Sequence, residues 1–293
     1  MMRLAMIVSR VRTEEKLLLE AFHKTGIDPE LISDDDIIFD LVEPDSRWFE
    51  FDIVLGRSLS ASRGLYTARL LNAFGVATIN SYETSATCAD KVLTTIALAR
   101  AGIPQPRARL AFAPPSALEA LAGLGYPCVL KPPFGSWGRL LAKVNDRESA
   151  EAILEHRQTL GSFVQRIYYA QAYVDKRHGR DIRAFVVGDR TLCAIYRTSS
   201  HWITNTARGG IASACPVTPG LDEICQRAAA AVGGGILAID LFEVGDGFVV
   251  NEVNHTMEFR NSIEPTGVDI PAEVAAYVRD RAYQAMQPVE RSA

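Results

Sequence analysis

Residues 240–254 carry three oxygen-bearing side chains, Asp240, Glu252 and Asn254, that two paired strands could bring together. Gly247 to Val250 is an aromatic and β-branched run leaving a Gly245-Asp246-Gly247 turn, and it predicts a strand. Strand side chains alternate faces, so Glu252 and Asn254 share one face, about 7 Å apart, while Val253 points into a core. Upstream, Ile236 to Phe242 is an apolar run with one carboxylate, Asp240, and reads as a buried strand. A hairpin through Gly245 would set Asp240 beside Glu252 and Asn254. One carboxylate alone is more often a strand-end cap than a ligand. Three converging oxygens suit a hard cation, and magnesium is the expectation.

A second set could hold phosphate. Lys131 ends an apolar run and precedes Pro132-Pro133 and the turn Phe134-Gly135-Ser136-Trp137-Gly138-Arg139, after which Leu140 to Val144 reads as a strand. Two glycines there would let backbone N–H groups approach phosphate oxygens, with lysine as a point charge. The Gly-Lys-Ser/Thr-to-helix arrangement of a Walker loop is absent, and a Gly-x-x-Gly hairpin by itself is more often a plain turn. Lys91 opens a helix after Asp90, where a solvated lysine is the default. Gln171-Ala172-Tyr173-Val174 could offer main-chain groups to a base, and Asp181 could reach a ribose hydroxyl. The alternative is an edge strand with a surface ion pair.

The elements that must position these groups alternate. Strands are expected at Leu4 to Val8, Phe51 to Leu55 and Val76 to Ile79, with helices at Thr13 to Lys24 (Thr13 as N-cap) and Ser60 to Phe74. That alternation indicates a small parallel-sheet lobe over the first 85 or so residues. Its loop from Gly56 to Gly64 follows a strand's carboxyl end, where open α/β sheets place ligands, although turn chemistry alone explains its serines and glycines. Further helices are expected at Asp90 to Ala101, Ser116 to Leu124, Arg147 to Thr159, Leu221 to Val232 and Ile270 to Gln287. Phe163 to Val174 reads as an interrupted strand and Arg183 to Tyr196 as a hairpin. His201 to Gly210 reads as an irregular loop.

The chain has 293 residues, enough for two or three lobes, and its composition is that of a soluble globular protein. A net charge of −4 argues against general nucleic-acid binding. Five scattered cysteines with no CxxC pair read as reduced core thiols. Neither a signal peptide nor a bilayer-length apolar run is seen, so a cytoplasmic protein without membrane partners is expected.

In order, Lys91, Val129-Leu130-Lys131-Pro132, the 134–139 loop, Gly179-Arg180-Asp181-Ile182-Arg183, Asp240 and Glu252-Val253-Asn254 resemble the ATP-grasp ligases in their RimK-like branch. The runs 201–210 and 251–259 further resemble the LysX group within it, and the likeness covers nearly the whole chain. The resemblance implies an α/β fold: a pre-ATP-grasp parallel-sheet domain over 1–88, a central ATP-grasp lobe over 89–168 and a C-terminal lobe over 169–293. It implies ATP phosphates held by Lys91, Lys131, Gly135, Ser136, Trp137, Gly138, Arg139, Leu140, Leu141 and Arg197, with Asn205 also on the nucleotide. Adenine would lie against Gln171, Ala172, Tyr173 and Val174, with ribose near Asp181. Two Mg²⁺ would be bound by Asp240, Glu252 and Asn254, and Arg183 and Arg208 would steady the acyl phosphate and the oxyanion. Thr206, Arg208, Gly209, His255, Thr256, Glu258, Phe259, Asn261 and Ser262 would line the amino-acid site.

The group joins α-aminoadipate to the C-terminal glutamate of an acidic LysW-like amino-group carrier protein, as a homodimer or homotetramer. Asn261-Ser262 matches the aminoadipate users, since glutamate users carry Gly-Phe there. The same chemistry on glutamate or an unusual amino acid, in arginine or secondary-metabolite synthesis, is the alternative, as is RimK-type protein glutamylation. Two departures stand out. Ala172 replaces the family's glutamate at the adenine strand, which should weaken or alter nucleotide binding, and Ile263-Glu264-Pro265-Thr266 replaces a more neutral run.

Overall fold

A computed structural model of the protein describes residues 2–135, 139–206 and 209–286. The first sheet is parallel. Its strands are β1 (Leu4–Val8), β2 (Glu30–Ser33), β3 (Ile53–Arg57) and β4 (Thr78–Ile79), in the order β2-β1-β3-β4. All five residues of β1 are buried, as a strand covered on both faces requires. Ala5, Ile7 and Val54 pack with Leu71 of α2 (Ala61–Ala73), and Leu4, Met6 and Leu55 with Leu18 and Phe22 of α1 (Thr13–Lys24). Strand β2 was not foreseen: it has four residues, two of them exposed, and no alternating pattern. Helix α1 is capped by Arg12 rather than Thr13, because the Glu15 carboxylate reaches back to accept the Arg12 N–H.

Two helices lead out of this lobe. α3 (Tyr82–Ala89), also unforeseen, runs directly into α4 (Lys91–Arg100). Asp90 between them is the α4 N-cap rather than its first turn, its carboxylate accepting the N–H of Val92 at 2.8 Å.

The middle sheet is antiparallel: β5 (Ala108–Ala111), β6 (Cys128–Lys131), β7 (Ala142–Val144) and β8 (Tyr168–Ala172), in the order β5-β8-β6-β7. α5 (Pro114–Leu124) and α6 (Arg147–Leu160) cover one face around Leu121, Leu130, Leu154 and Tyr168. β7 starts two residues later than expected because Leu140 takes a left-handed conformation (φ 58°) that a strand cannot continue through. Because β8 pairs with β5 and β6, Gln171 and Ala172 belong to this sheet, and a division at 168/169 would cut it.

The third sheet is antiparallel as well, with β9 (Arg180–Val187), β10 (Arg190–Thr198), β11 (Ile211–Cys215), β12 (Ile236–Val244) and β13 (Gly247–Asn254) in the order β11-β10-β9-β12-β13. Period-two alternation splits its side chains cleanly. Ala184, Leu237, Ile239 and Val253 face α7 (Pro219–Ala231) and α4. Phe185, Ile195 and Ala238 face the first lobe, with Met257 and Phe259 from the segment leading into α8 (Arg260–Thr266) and Val274 and Val278 of α9 (Ile270–Met286). The polar positions of that second face, at the ends of the strands, form the site. Among the described residues no helix is long and apolar enough to cross a membrane.

Candidate active site

β12 sets Asp240 opposite Arg183 on β9, and β9 sets Asp181 opposite Arg197 on β10. The four side chains form a charge ladder across three strands, with Asp181, Arg197 and Asp240 buried and Arg183 partly so. Arg183 donates from Nε (2.8 Å) and Nη2 (3.1 Å) to the two Asp240 oxygens. Arg197 donates to both Asp181 oxygens at 2.8 Å and reaches Asp240 at 3.2 Å. Burial alone would push the Asp240 carboxyl up, but Arg183 and Arg197 outweigh it and hold the group well below the usual carboxylate range. Burial works against the Arg197 cation too, and Asp240 and Asp181 reverse that. Asp181, expected to face ribose, has both oxygens committed to Arg197, and Lys176 stands 3.8 Å away.

The β12–β13 hairpin pairs Asp240 directly with Glu252. A bulge follows: Leu241 is opposite Val250, leaving Asn251 as the extra residue, and Asn251 and Glu252 both line the same cavity. Asn251 was missed because strict alternation would turn it away from the site. Its side-chain oxygen accepts from Lys131 Nζ at 3.1 Å. Burial lowers the Lys131 ammonium to about 8, against the pull of Glu252. Lys91 Nζ lies 3.4 Å from Glu252 and donates to the Gly135 carbonyl at 2.7 Å. Lys176, not foreseen at this site, is half-buried and donates to Thr204 Oγ1 at 2.7 Å. Burial pulls its ammonium down, and Asp181 opposes this.

These groups line an open cavity in the cleft. Gln171, Ala172, Tyr173, Val174, Val129, Leu141 and Phe242 are its uncharged lining, and Lys91, Lys131, Arg139, Lys176 and Arg197 its cations. The Ala172 N–H donates to the Arg107 carbonyl at 2.8 Å, so Tyr173 and Val174, beyond the strand, carry the remaining main-chain groups on that wall. Leu140 is not on the wall; its side chain is exposed and its carbonyl accepts from Arg157. Trp202, Ile203 and Thr204 join the lining without having been foreseen. Ser136, Trp137, Gly138 and Arg208 lie outside the described residues.

A second cavity shares one wall with the first: Gly135, Arg197, Asn205, Asp240 and Glu252 line both. Its far side is Arg183, Thr206, Asn254, His255, Thr256 and Glu258, closed by Arg12, Ser58 and Leu59 of the N-terminal lobe. The 56–64 loop, a weak signal in sequence, thus does reach the site through Ser58, Leu59 and Ala61. Desolvation, aided by Arg57, lowers the His255 imidazole to about 4, so it is neutral at neutral pH. Phe259 is core rather than lining, 1% exposed among the apolar side chains of the interlobe core. Gly209 lines none of these cavities. Asn261 and Ser262, at the start of α8, line a third, adjoining cavity.

The donor set suits Mg²⁺. Asp240 and Glu252 are carboxylates in register, and Asn254 donates its NH₂ to the Ala238 carbonyl at 3.3 Å, which leaves its oxygen as the acceptor end. Arginine bonds take about three of the roughly four lone-pair directions on Asp240. Glu252, 3.4 Å from Lys91 and with a quarter of its side chain exposed, is the more open ligand. Among the described residues no group of three or more His, Cys, Asp or Glu could hold a metal, so the amide oxygen is needed to complete a set.

Comparison with known proteins matches residues 4–87 to the LysX preATP-grasp domain and residues 88–278 to the RimK-like ATP-grasp domain. Over 282 residues the chain is 34% identical to the glutamate–LysW ligase ArgX of Sulfolobus acidocaldarius, covering 95% of this chain and 99% of that protein. It is 36% identical over 265 residues to the α-aminoadipate–LysW ligase LysX of Saccharolobus solfataricus, covering 88% and 94%. The crystal structure of a RimK domain ATP-grasp protein from Sphaerobacter thermophilus superposes with a TM-score of 0.79 at 30% identity, covering 94% of this chain and 98% of that one.

Proposed function

The chain belongs to the RimK-like ATP-grasp ligases, and from that premise we propose that it joins the α-amino group of α-aminoadipate to the C-terminal glutamate of a LysW-like carrier protein, at the expense of ATP. One observation carries the reading: a cavity lined by cations and an acceptor cavity share the wall built from Gly135, Arg197, Asn205, Asp240 and Glu252. A phosphoryl group leaving the first would arrive in the second.

Adenine lies against Tyr173 and Val174, and the phosphates meet the buried Lys131 and Arg197 and the half-buried Lys176, cations held in place before charge shifts. Asp240, Glu252 and Asn254 would hold two magnesium ions, which would neutralise charge on the transferring phosphoryl group. The carrier carboxylate attacks the γ-phosphorus, the bond to ADP breaks, and an acyl phosphate forms. The amine then attacks the acyl carbon, loses a proton, and inorganic phosphate leaves with the C–O bond electrons. Arg183, fixed by two bonds to Asp240, faces the acyl group, and Arg208 is assigned to the oxyanion. Catalysis is positioning and charge, with no covalent enzyme nucleophile. All five cysteines are buried and free, and burial raises their thiol pKa values.

Glutamate is the second reading, favoured by the similarity to the ArgX ligases. We take the enzyme to act in the cytoplasm as a homodimer or homotetramer. Intact-mass measurement of a LysW-like protein after incubation with enzyme, Mg-ATP and single amino acids decides: the mass gained names the substrate. Phosphate release should require carrier and amino acid together, and a full rate with either alone would rule out a two-substrate ligase.

A further inference from the structure

The third cavity opens beside Asn261 and Ser262 and is continuous with the acceptor cavity, since Arg12, Leu59, Arg183, Arg197, Thr206 and Glu258 line both. Part of its wall comes from the turn after β1 and the first residues of α1, through Arg10, Arg12, Thr13 and Glu14. Its described lining holds five cations, Arg10, Arg12, Arg183, Arg197 and Arg260, against two carboxylates, Glu14 and Glu258.

Nearly all of that charge is answered. Arg12 is held by Glu15 through Nε and Nη2, both at 2.9 Å, and by Glu258 at 2.7 Å. Glu15, fully buried, is braced from behind by Arg57 at 2.8 Å. Arg260 stands 3.8 Å from Glu14, and Arg183 and Arg197 belong to the ladder with Asp240 and Asp181. Arg10 is the exception. Among the described cations of this cavity it has no carboxylate and no hydrogen-bond partner, and it stands exposed at the rim.

We propose that Arg10 reads the side-chain carboxylate of the amino-acid substrate, so that the N-terminal lobe selects charge while Asn261 and Ser262 select chain length. This rests on the ligase reading above. The substrate's amine must reach the acyl group near Asp240, and a continuous lined path leads its side chain away from that point, past Ser262 to Arg10. A guanidinium matches a carboxylate with two parallel N–H bonds, which a neutral amide cannot reproduce.

Calorimetry on the enzyme loaded with Mg and a non-hydrolysable ATP analogue tests this, with L-α-aminoadipate and L-glutamate each titrated against its side-chain amide. Wild type should prefer each acid by about tenfold or more, and Arg10→Gln should compress that ratio to about twofold. Arg10→Lys, which keeps the charge but loses the fork, should fall between. Analogue affinity checks that the variants are folded. An acid preference that survives Arg10→Gln overturns this inference and leaves the ligase reading standing. A wild type that binds neither acid better than its amide overturns both the inference and the acidic-substrate reading.

Discussion

Replacing Asn80 by alanine would strip three side-chain hydrogen bonds at one buried joint between the N-terminal lobe and the third sheet. Asn80 Oδ1 accepts from the Ile236 N–H at 2.7 Å, and its NH₂ donates to the Ile236 carbonyl at 2.9 Å and the His255 carbonyl at 2.7 Å. Neighbouring Gly235, at φ +110°, keeps the contact open, because a Cβ there would collide with the Asn80 amide. Asn80 is 8% exposed and Ile236 6%, so water cannot simply replace what is lost. Each bond contributes about 1 kcal/mol net, and stranded Ile236 groups add a desolvation cost, which gives roughly 3 to 5 kcal/mol in all. At this chain length that corresponds to a fall in Tm of roughly 10 °C by scanning calorimetry. Two of the bonds hold β12 and one holds the segment that lines the acceptor cavity, so catalysis should suffer unevenly. The KM for the amino acid should rise by about fivefold while the KM for ATP stays within about twofold. An unchanged Tm would refute the energetic argument. A KM for ATP that rose as much as that for the amino acid would refute the idea that this joint positions the acceptor side alone.

Other outcomes follow from the same site. Lys131 titrates near 8 because of burial, and phosphate binds its protonated form, so above about pH 8 ATP binding should take up a proton and its KM should climb with pH. Calorimetry in two buffers of different ionisation heat measures this, and equal uptake by Lys131→Arg would contradict it. Ala172→Glu restores the side chain that the family carries on this strand, and it should tighten ATP binding by several-fold in a nucleotide titration. Unchanged affinity would mean the main chain of 173–174 does the work unaided. Asn261→Gly with Ser262→Phe should move selectivity from α-aminoadipate towards glutamate in the carrier mass assay, because phenylalanine fills space beside the 2%-exposed Ser262. Unchanged selectivity would remove those residues from the substrate wall. Asp240→Asn, which leaves Arg183 and Arg197 under-compensated, should cost about 3 to 5 kcal/mol of stability. Glu252→Gln should spare the fold and abolish turnover; a stable, active Glu252→Gln enzyme would contradict its assignment as the open metal ligand.

What could be read from residues alone was local and periodic. The β12–β13 hairpin and the Asp240–Glu252 pairing came from alternation plus a glycine turn, and the register places them as expected. Asn251 was hidden by that same rule, since a one-residue bulge breaks alternation where the site needs it broken. Phe259 failed in the opposite sense: it lies inside a motif of site residues, yet the interlobe core claims its ring. Arg12 and Lys176 gave no usable signal, because an arginine before a helix and a lysine in a basic run are surface groups by default. The partners that bring them to the site are distant: besides its near neighbour Glu15, Arg12 bonds Glu258, and Lys176 meets Thr204. β2 escaped because a four-residue parallel strand half in solvent has no period to detect.

The charges along the cleft explain how a chain of net charge −4 can gather anionic substrates. Among described residues, the nucleotide cavity sets Lys91, Lys131, Arg139, Lys176 and Arg197 against Asp181, Asp240 and Glu252. The shared acceptor cavity is balanced, with Arg12, Arg183 and Arg197 facing Asp240, Glu252 and Glu258. Beyond it, the cavity under Asn261 is cationic again. A triphosphate therefore gains on entering one end and a dicarboxylic amino acid on entering the other, while the lining of the middle carries no net charge to hold either product. That middle is where charge must move. A fixed ladder of arginine–aspartate pairs there can stabilise a shifting phosphoryl charge without being neutralised by it, because each arginine is already oriented by its own carboxylate. Removing one rung should thus damage the rate more than the affinity of either substrate.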